Sequence, residues 1–117
     1  MANQIILASS SDIRARLLRN AGVTCEVIPA RIDEDSIKRA LEAEAATPRD
    51  IAETLAEMKA RKVAEKGVGP LVLGCDQVLS FKGSVLSKPQ NPHDARDQLR
   101  MLRGETHQLL SAAVVYE

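Results

Sequence analysis

The sequence of 117 residues has almost no aromatic side chains: Phe81 and Tyr116 are the only two, and tryptophan is absent. Proteins that bind single-stranded nucleic acid stack bases on aromatic rings, so this scarcity argues against that class. Lys and Arg together number 16, as do Asp and Glu, and this balance removes any global electrostatic attraction to nucleic acid or membranes. We therefore expect neither of these partners.

Cysteine is also scarce, with only Cys25 and Cys75, and neither they nor the two histidines have the paired spacing of a zinc site. No uncharged run approaches the roughly 20 residues that a transmembrane helix needs, and the amino terminus does not resemble a signal peptide. A disulfide is therefore not expected. The pattern is typical of a protein of the reducing cytoplasm.

The length predicts a single domain with one modest core, and the composition is that of a globular protein. Strands are predicted at residues 4–8, 25–28, 71–79, 85–88 and 107–116. Helices are predicted from residues 9–11 to about 20, over 37–45, from 48 to just before 67, and from 92 to just before 104. This alternation indicates an α/β fold, a mixed sheet flanked by helices, with Lys82-Gly83 as a hairpin turn.

Helix capping residues set several of these boundaries. Three consecutive serines, Ser9, Ser10 and Ser11, are each competent to cap the first helix, and Gly22 is its stop signal. Thr47 precedes a proline at the start of the long helix, as Asn91 does at the start of the last one. An acidic segment, residues 33–35, is predicted to be a loop.

A cation lies among the apolar residues of the first predicted helix. On a helical wheel one arc that should face the core is formed by Ile13, Leu17, Leu18 and Ala21. Arg14 falls inside this arc, and an unpaired buried cation is costly. Its partner is either a phosphate, which the amides of the first turn also favour, or a carboxylate, Asp33 or Glu34. Snorkelling of Arg14 to the rim is a third interpretation.

The long helix repeats this pattern. Its apolar arc is formed by Ile51, Leu55, Met58 and Val63. Lys59 and Lys62 both fall inside this arc. Lysines on helices are usually solvated, and the pattern alone favours that interpretation for both.

Asp76 interrupts an otherwise apolar strand at residues 71–79. A carboxylate in such a run must be hydrogen-bonded, paired with a cation or coordinated to a metal, and a structural salt bridge remains an alternative to a functional role. Gly74 allows the close approach of a ligand or of another strand. No residue pattern supplies a base for Cys75, which we interpret as a small core residue.

Six segments resemble the signature segments of the Maf family, in the same order and over nearly the whole chain. They are residues 7–18 (LASSSDIRARLL), Asp33-Glu34, residues 55–60 (LAEMKA), residues 74–78 (GCDQV), Lys88-Pro89 and residues 104–107 (GETH). Three positions depart from the family pattern. Asp12 replaces the usual proline, Ile13 replaces the first of two usual arginines, and Ser87 stands where glycine is common.

The resemblance implies a fold like that of Maf proteins and inosine triphosphatase, lacking much of the second lobe because family members continue well beyond this chain's end. It implies hydrolysis of a nucleoside triphosphate to the monophosphate and pyrophosphate with a divalent metal, Mg²⁺ or Mn²⁺. The implied substrate-binding residues are Ser9, Arg14, Lys59, Gln77 and Lys88. The implied metal ligands are Glu34 and Asp76, of which Asp76 would also orient or deprotonate the attacking water.

Gln77 is similar to the branch of the family that acts on 7-methyl-GTP, whereas Thr is usual in the branch that acts on dTTP and UTP. A different class of function also remains open, a non-catalytic nucleotide-binding or cell-division regulatory protein, because the loop at residues 11–13 is altered. The chain stops just after an apolar predicted strand, which would leave an edge or face uncovered. We therefore expect a homo-oligomer that hydrolyses nucleotides poorly.

Overall fold

The computed structural model describes residues 5–67 and 69–117, which form four helices and five strands. In chain order these are β1 (Ile5–Leu7), α1 (Asp12–Asn20), β2 (Cys25–Val27), α2 (Glu34–Ala43), α3 (Pro48–Ala64), β3 (Leu71–Phe81), β4 (Ser84–Leu86), α4 (Pro92–Leu102) and β5 (Gln108–Tyr116). β1 is parallel to β2 and β3, while β4 and β5 are antiparallel to β3. The predicted α/β fold with a mixed sheet is confirmed. None of the described helices is both long and apolar enough to cross a bilayer.

The predicted helix caps are largely confirmed. Among the three serines, Ser11 is the N-cap of α1, and its Oγ accepts a hydrogen bond from the Arg14 N–H at 3.3 Å. Thr47 forms a reciprocal capping box with Asp50 at the start of α3. Asn91 caps α4 through its Oδ1, which accepts a hydrogen bond from the Asp94 N–H at 2.8 Å. Local side-chain chemistry therefore determines where these helices begin.

Three predicted boundaries need correction or comment. Gln4, the predicted start of β1, lies outside the described residues, as does Val68. The acidic segment at 33–35 is the start of α2 and not a loop: the Asp33 carboxylate accepts from the Ser36 N–H and hydroxyl and so caps the helix. β4 ends at Leu86, so Lys88 belongs to the loop that follows the strand.

β3 is the central strand, and its two edges differ. β5 pairs with one edge from Val72 to Ser80. β1 pairs with the opposite edge at the start of β3, and β4 pairs with that same edge at the end of β3. Between them, no strand of the described residues occupies this edge at positions 74–78. The sheet therefore has an opening beside the middle of its longest strand.

One face of the sheet packs against α3. The buried side of this helix includes Ile51, Leu55 and Val63, which lie against the alternate β3 residues that begin with Val72. A Cβ atom on Gly74 would lie 2.1 Å from the Ala56 carbonyl oxygen. Glycine is therefore required at this position, and the close neighbour is the α3 helix, where we expected a ligand or another strand.

The predicted apolar arc of α1 is wrong. Ile13 and Leu17 are 66% and 63% exposed, whereas Ala15 is buried. The side of α1 that faces the protein is centred on Ala15, with Arg14 and Leu18 partly buried beside it. Arg14 does face inward, as predicted, but next to a small alanine and not within the arc of larger apolar residues.

Three of the four residues of the predicted α3 arc, Ile51, Leu55 and Val63, are buried as expected, but the buried side extends further around the helix. Three alanines, Ala52, Ala56 and Ala60, are buried because the helix approaches the sheet closely at Gly74. Met58 and Lys62, both placed in the predicted arc, are exposed. The ammonium group of Lys62 donates to the Arg31 carbonyl at the protein surface. Lys59 lies close to the middle of the true buried side, and the two lysines are thereby separated.

Candidate active site

A cleft of about 780 Å³ lies at the carboxyl end of β1, between the start of α1, the start of α2 and the opening beside β3. All seven predicted site residues line it: Ser9, Arg14, Glu34, Lys59, Asp76, Gln77 and Lys88. Asp76 shares one cleft with Glu34 and Lys88, and Arg14 and Lys59 reach one pocket at the amino end of α1.

An ion-paired cluster forms the floor of this cleft. The Lys59 Nζ lies 2.5 Å from Glu34 Oε1 and 3.0 Å from Asp76 Oδ1. The side chains of Lys59 and Asp76 are only 12% and 8% exposed. The interpretation of Lys59 as a solvated lysine is therefore wrong, and α3 supplies the cation that the Asp76 carboxylate requires on a buried strand position.

The second carboxylate oxygen of Asp76, Oδ2, does not take part in the ion pair with Lys59. Oδ2 is buried and has no hydrogen-bond partner among the described residues. A buried carboxylate oxygen is normally satisfied by a donor or a cation, so the ion pair with Lys59 leaves half of this carboxylate without its expected contacts. Asp76 therefore has capacity for a further ligand within the cleft.

Glu34 is positioned by the first turn of α2, which the Asp33 cap begins. Burial by itself would raise the pKa of the Glu34 carboxyl. The hydrogen bond and the charge of Lys59, with smaller contributions from Lys38 and Lys88, outweigh that effect, so the pKa lies below its ordinary value of 4.5. Glu34 is therefore a carboxylate at neutral pH.

Arg14 extends across the opening beside β3. Its Nη1 donates a hydrogen bond to the Cys75 carbonyl oxygen at 3.0 Å. This contact is neither of the carboxylate pairings that we considered, since Glu34 pairs with Lys59 and Asp33 caps α2. A guanidinium group carries several N–H donors, so one bond to the backbone leaves others for an anion.

In the loop between β1 and α1, serine hydroxyl groups accept hydrogen bonds from nearby backbone N–H groups. The buried Ser9 accepts a hydrogen bond from the Ser11 N–H at 3.0 Å through its Oγ. Ser11 in turn uses its hydroxyl to cap Arg14 N–H. The backbone N–H groups of Ser11 and Arg14, which were candidate donors to a phosphate, thus already donate to these hydroxyl groups. The remaining first-turn amides and the positive end of the helix dipole still favour an anion at this loop.

Gln77 and Lys88 line the cleft from its outer side. Gln77 follows Asp76 on the strand and so points to the opposite face of the sheet, where its Nε2 donates to Ser111 Oγ at 3.0 Å. Lys88 is exposed on the loop after β4. The gap between β1 and β4 beside β3 thus lets Asp76 and Gln77, which point to opposite faces of the sheet, line the same cleft.

Lys38 is a cleft residue that the sequence analysis missed. It lies one helical turn after Glu34 on α2, where residues four apart share a face. The prediction began this helix at Ile37, which removed Glu34 from it and hid the relationship. The Asp33 side chain, followed by Ser36 at the third helical position, was the capping signal that would have located the start.

Within the described parts of the chain, no group of three or more His, Cys, Asp or Glu is close enough to hold a metal ion. Two carboxylates nevertheless meet at Lys59, and one carries the unsatisfied Oδ2. Mg²⁺ is commonly bound through one or two carboxylates together with water and phosphate oxygens. The donor set therefore fits a magnesium ion that shares its coordination with a phosphorylated ligand.

Known proteins are similar to this chain over almost its whole length. The sequence model described as Maf-like protein matches residues 4–117. This chain belongs to the Maf-like family. It is 60% identical over 116 residues to a protein of Ruegeria sp. (strain TM1040) named nucleoside triphosphate pyrophosphatase, covering 99% of this chain and 58% of that protein.

Two further Maf-like relatives carry related names. A nucleoside triphosphate pyrophosphatase of Roseobacter denitrificans is 59% identical over 117 residues, with 100% of this chain and 59% of the relative covered. A 7-methyl-GTP pyrophosphatase of Mesorhizobium japonicum is 47% identical over 115 residues, with 98% and 58% covered. The chain thus spans somewhat less than three-fifths of the length of these curated relatives.

Proposed function

We propose that this chain provides the nucleotide-binding and catalytic residues of a nucleoside triphosphate pyrophosphatase, which releases the monophosphate and pyrophosphate. The observation that carries the proposal is the buried, half-satisfied carboxylate of Asp76 in a cleft that also holds Arg14, Lys59 and Lys88. The names of the relatives, which describe this reaction, support it.

The cations of the cleft suit the charge of a triphosphate. Arg14 projects from the first turn of α1, where the free amides add partial positive charge. Lys88 approaches from the opposite side on the loop after β4. Displacement at phosphorus depends chiefly on in-line positioning and on neutralisation of charge, and these side chains would supply both. The Ser9 loop would hold phosphate oxygens at the same end of the helix.

Asp76 would act on the attacking water. Its side chain is held on a rigid central strand, and Oδ2 is available for a hydrogen bond. A carboxylate so placed would orient the water and accept its proton as the bond to phosphorus forms. Glu34 and Asp76 would also hold a divalent metal, Mg²⁺ or Mn²⁺, which when bound would neutralise phosphate charge.

The proposed substrates include 7-methyl-GTP. Relatives that share 47% and 44% identity with this chain are named 7-methyl-GTP pyrophosphatase, and Gln77 resembles that branch. Gln77 lines the cleft next to Asp76 and is fixed by its bond to Ser111. It would contact the part of the nucleotide that lies beyond the phosphates.

The test is pyrophosphate release from a panel of GTP, 7-methyl-GTP, dTTP, UTP and ATP with Mg²⁺ or Mn²⁺. We expect equimolar pyrophosphate and monophosphate, with the largest kcat/KM for 7-methyl-GTP. Asp76→Asn protein prepared in parallel controls for contaminating hydrolases. Nucleotide binding without turnover, measured by calorimetry, would instead support a non-catalytic nucleotide-binding protein.

The chain also has a surface suited to a homo-oligomer. β5 is nine residues long and pairs with β3 along one edge, while no strand of the described residues pairs with its other edge. Leu109 and Val115 are exposed on the face of β5 that points away from α3. Unpaired edges and exposed apolar residues favour association.

Sedimentation velocity at micromolar concentration tests this self-association. We expect a dimer or larger species, and expect the Leu109→Asp, Val115→Asp double variant to be a monomer. Met101→Asp, which changes an exposed apolar residue on α4, is the matched control and should leave the distribution unchanged. A clean monomer of the unsubstituted chain would contradict the proposal.

A further inference from the structure

We infer that Lys59 is an internal counter-ion that a divalent cation displaces, so that one side chain pairs with carboxylates in the empty cleft and with phosphate when the cleft is loaded. This inference rests on the proposed function and deepens it. The starting point is the position of Nζ, which contacts both Glu34 and Asp76 from below the cleft.

Lys59 occupies the place that a shared metal ion would need. A Mg²⁺ ion lies about 2.0–2.1 Å from its oxygen ligands. The ammonium group already lies 2.5 Å and 3.0 Å from one oxygen of each carboxylate. Two cations cannot both stay in contact with those oxygens, because at such distances in a buried site their repulsion is large. Binding of the metal to the same two oxygens, Glu34 Oε1 and Asp76 Oδ1, therefore requires Lys59 to move.

The unsatisfied oxygen of Asp76 distinguishes this arrangement from a permanent structural salt bridge. A buried ion pair contributes to stability only when hydrogen bonds satisfy its remaining lone pairs. Here the side chain is 8% exposed and Oδ2 has no partner among the described residues. The pair is thus incomplete, because Oδ2 makes, with the described residues, none of the hydrogen bonds that a buried carboxylate oxygen normally makes. Lys59 alone does not satisfy this carboxylate.

A displaced Lys59 could contact phosphate oxygens within the same cleft. Its flexible stem of four carbons allows the ammonium group to turn without movement of α3. Arg14 and Lys88 line the cleft around it, and the Ser9 loop presents its amides nearby. A displaced Lys59 would join these donors at the phosphate oxygens. Without the metal, Lys59 neutralises the carboxylates of Glu34 and Asp76. When the metal binds, it would take over this role, and Lys59 would contact phosphate.

Removal of the lysine charge tests the displacement. Mn²⁺ binding to the nucleotide-free protein is followed by the electron paramagnetic resonance signal of free Mn²⁺. We expect Lys59→Met to bind Mn²⁺ at least about tenfold more tightly than the unsubstituted chain, because the competing cation is gone. Lys62→Met is the matched control, since this exposed lysine lies on the same helix and its ammonium group hydrogen-bonds only to the Arg31 carbonyl among the described residues. Unchanged or weaker Mn²⁺ binding by Lys59→Met would overturn the inference.

A second measurement uses the unsubstituted chain and so does not depend on how the variant folds. Lysine acetylation is quantified by mass spectrometry with and without Mg²⁺. We expect the acetylation of Lys59 to rise several-fold when Mg²⁺ is added, while that of Lys62 stays constant. Equal protection of Lys59 in both conditions would overturn the inference. Tighter Mn²⁺ binding by Lys59→Met, together with no pyrophosphate release by the unsubstituted chain, would remove the proposed reaction and leave the displacement standing.

Discussion

The two faces of the sheet differ in what covers them. On one face α3 covers β3 and β5, and Leu55 is fully buried between them. On the other face Leu109 of β5 is 60% exposed. Adjacent residues of one strand experience both environments, since Asp76 points to the covered face and Cys75 to the open one.

The difference explains where the charged cluster forms. A carboxylate on the covered face loses water and must find a cation, and α3 presents Lys59 at that level. A polar residue on the open face, such as Gln77, keeps access to solvent and needs only the single bond to Ser111. The strong ion pairing therefore belongs to the covered face, and the catalytic role that we propose for Asp76 depends on it.

The largest expected effect concerns Asp76. Asp76→Asn keeps the shape of the side chain and removes its charge, so we expect pyrophosphate release to fall by about 100-fold or more. Val115→Ala, on the open face and outside the cleft, is the control and should retain activity within about threefold. The measurement is kcat/KM for the preferred nucleotide. Near-normal turnover by Asp76→Asn would show that the covered face does not carry the chemistry.

The second prediction compares one leucine from each face. Leu55→Ala removes a fully buried side chain, and we expect the free energy of unfolding to fall by about 3 kcal/mol. Leu109→Ala removes an exposed one, and its effect should be less than about 1 kcal/mol. Urea unfolding at a low protein concentration measures both. Equal losses would mean that the open face is covered in solution.

The third prediction concerns the thiol beside Asp76. Burial raises the pKa of Cys75, an effect that the nearby Arg14 and Lys59 charges only partly offset. Little thiolate is therefore present at neutral pH, and alkylation by iodoacetamide should accelerate only as the pH rises beyond the ordinary value of 9.0. Cys75→Ala should keep activity within about threefold. Rapid labelling of Cys75 at pH 7 with loss of turnover would contradict this prediction and indicate that Cys75 is a nucleophile.

The smallest expected effect concerns the cap that holds Glu34 over the covered face. The Ser36 hydroxyl and N–H lower the pKa of the Asp33 carboxyl from its ordinary value of 3.8. The folded state therefore binds a proton less readily than the unfolded chain, and the stabilisation by Asp33 is present above pH 3.8 and lost as the pH falls through the folded value. Asn retains the cap without the charge.

Urea unfolding of the unsubstituted chain and of Asp33→Asn, at pH 6 and at pH 3, measures this contribution. We expect the unsubstituted chain to lose more stability on acidification than the variant does. An identical loss in both proteins would mean that the Asp33 charge contributes nothing to the start of α2.

The candidate site could be located from sequence more reliably than the helix faces could. Ser9, Arg14, Glu34, Lys59, Asp76, Gln77 and Lys88 were named from the family resemblance, and all of them line one cleft. The wheel analysis of α1 nevertheless chose the wrong side, since Ile13 and Leu17 are exposed. Large apolar residues dominated the pattern, whereas α1 contacts the rest of the protein through a small alanine.

The same bias affected α3. Its alanines carry little weight in a hydrophobic pattern, yet they define the buried side because Gly74 lets the helix approach the strand. Lys59 lies at the centre of that side, and Lys62 lies outside it. The large apolar residues of the helix do not distinguish these two lysines, because both fall inside the arc that those residues define. Their difference depends on Asp76, a residue that comes into contact only when β3 is in place.

The sequence by itself determined the order of helices and strands, three of the four N-caps and the turn at Lys82-Gly83, where both residues have positive φ angles of 51° and 81°. These features depend on interactions within a few residues, so local chemistry is sufficient for them. Tertiary structure decided which lysine is paired, which side of α1 is buried and where β3 is left open between β1 and β4. Each of these features depends on contacts between residues far apart in the chain. Burial strengthens such contacts, because charged groups removed from water interact more strongly with one another.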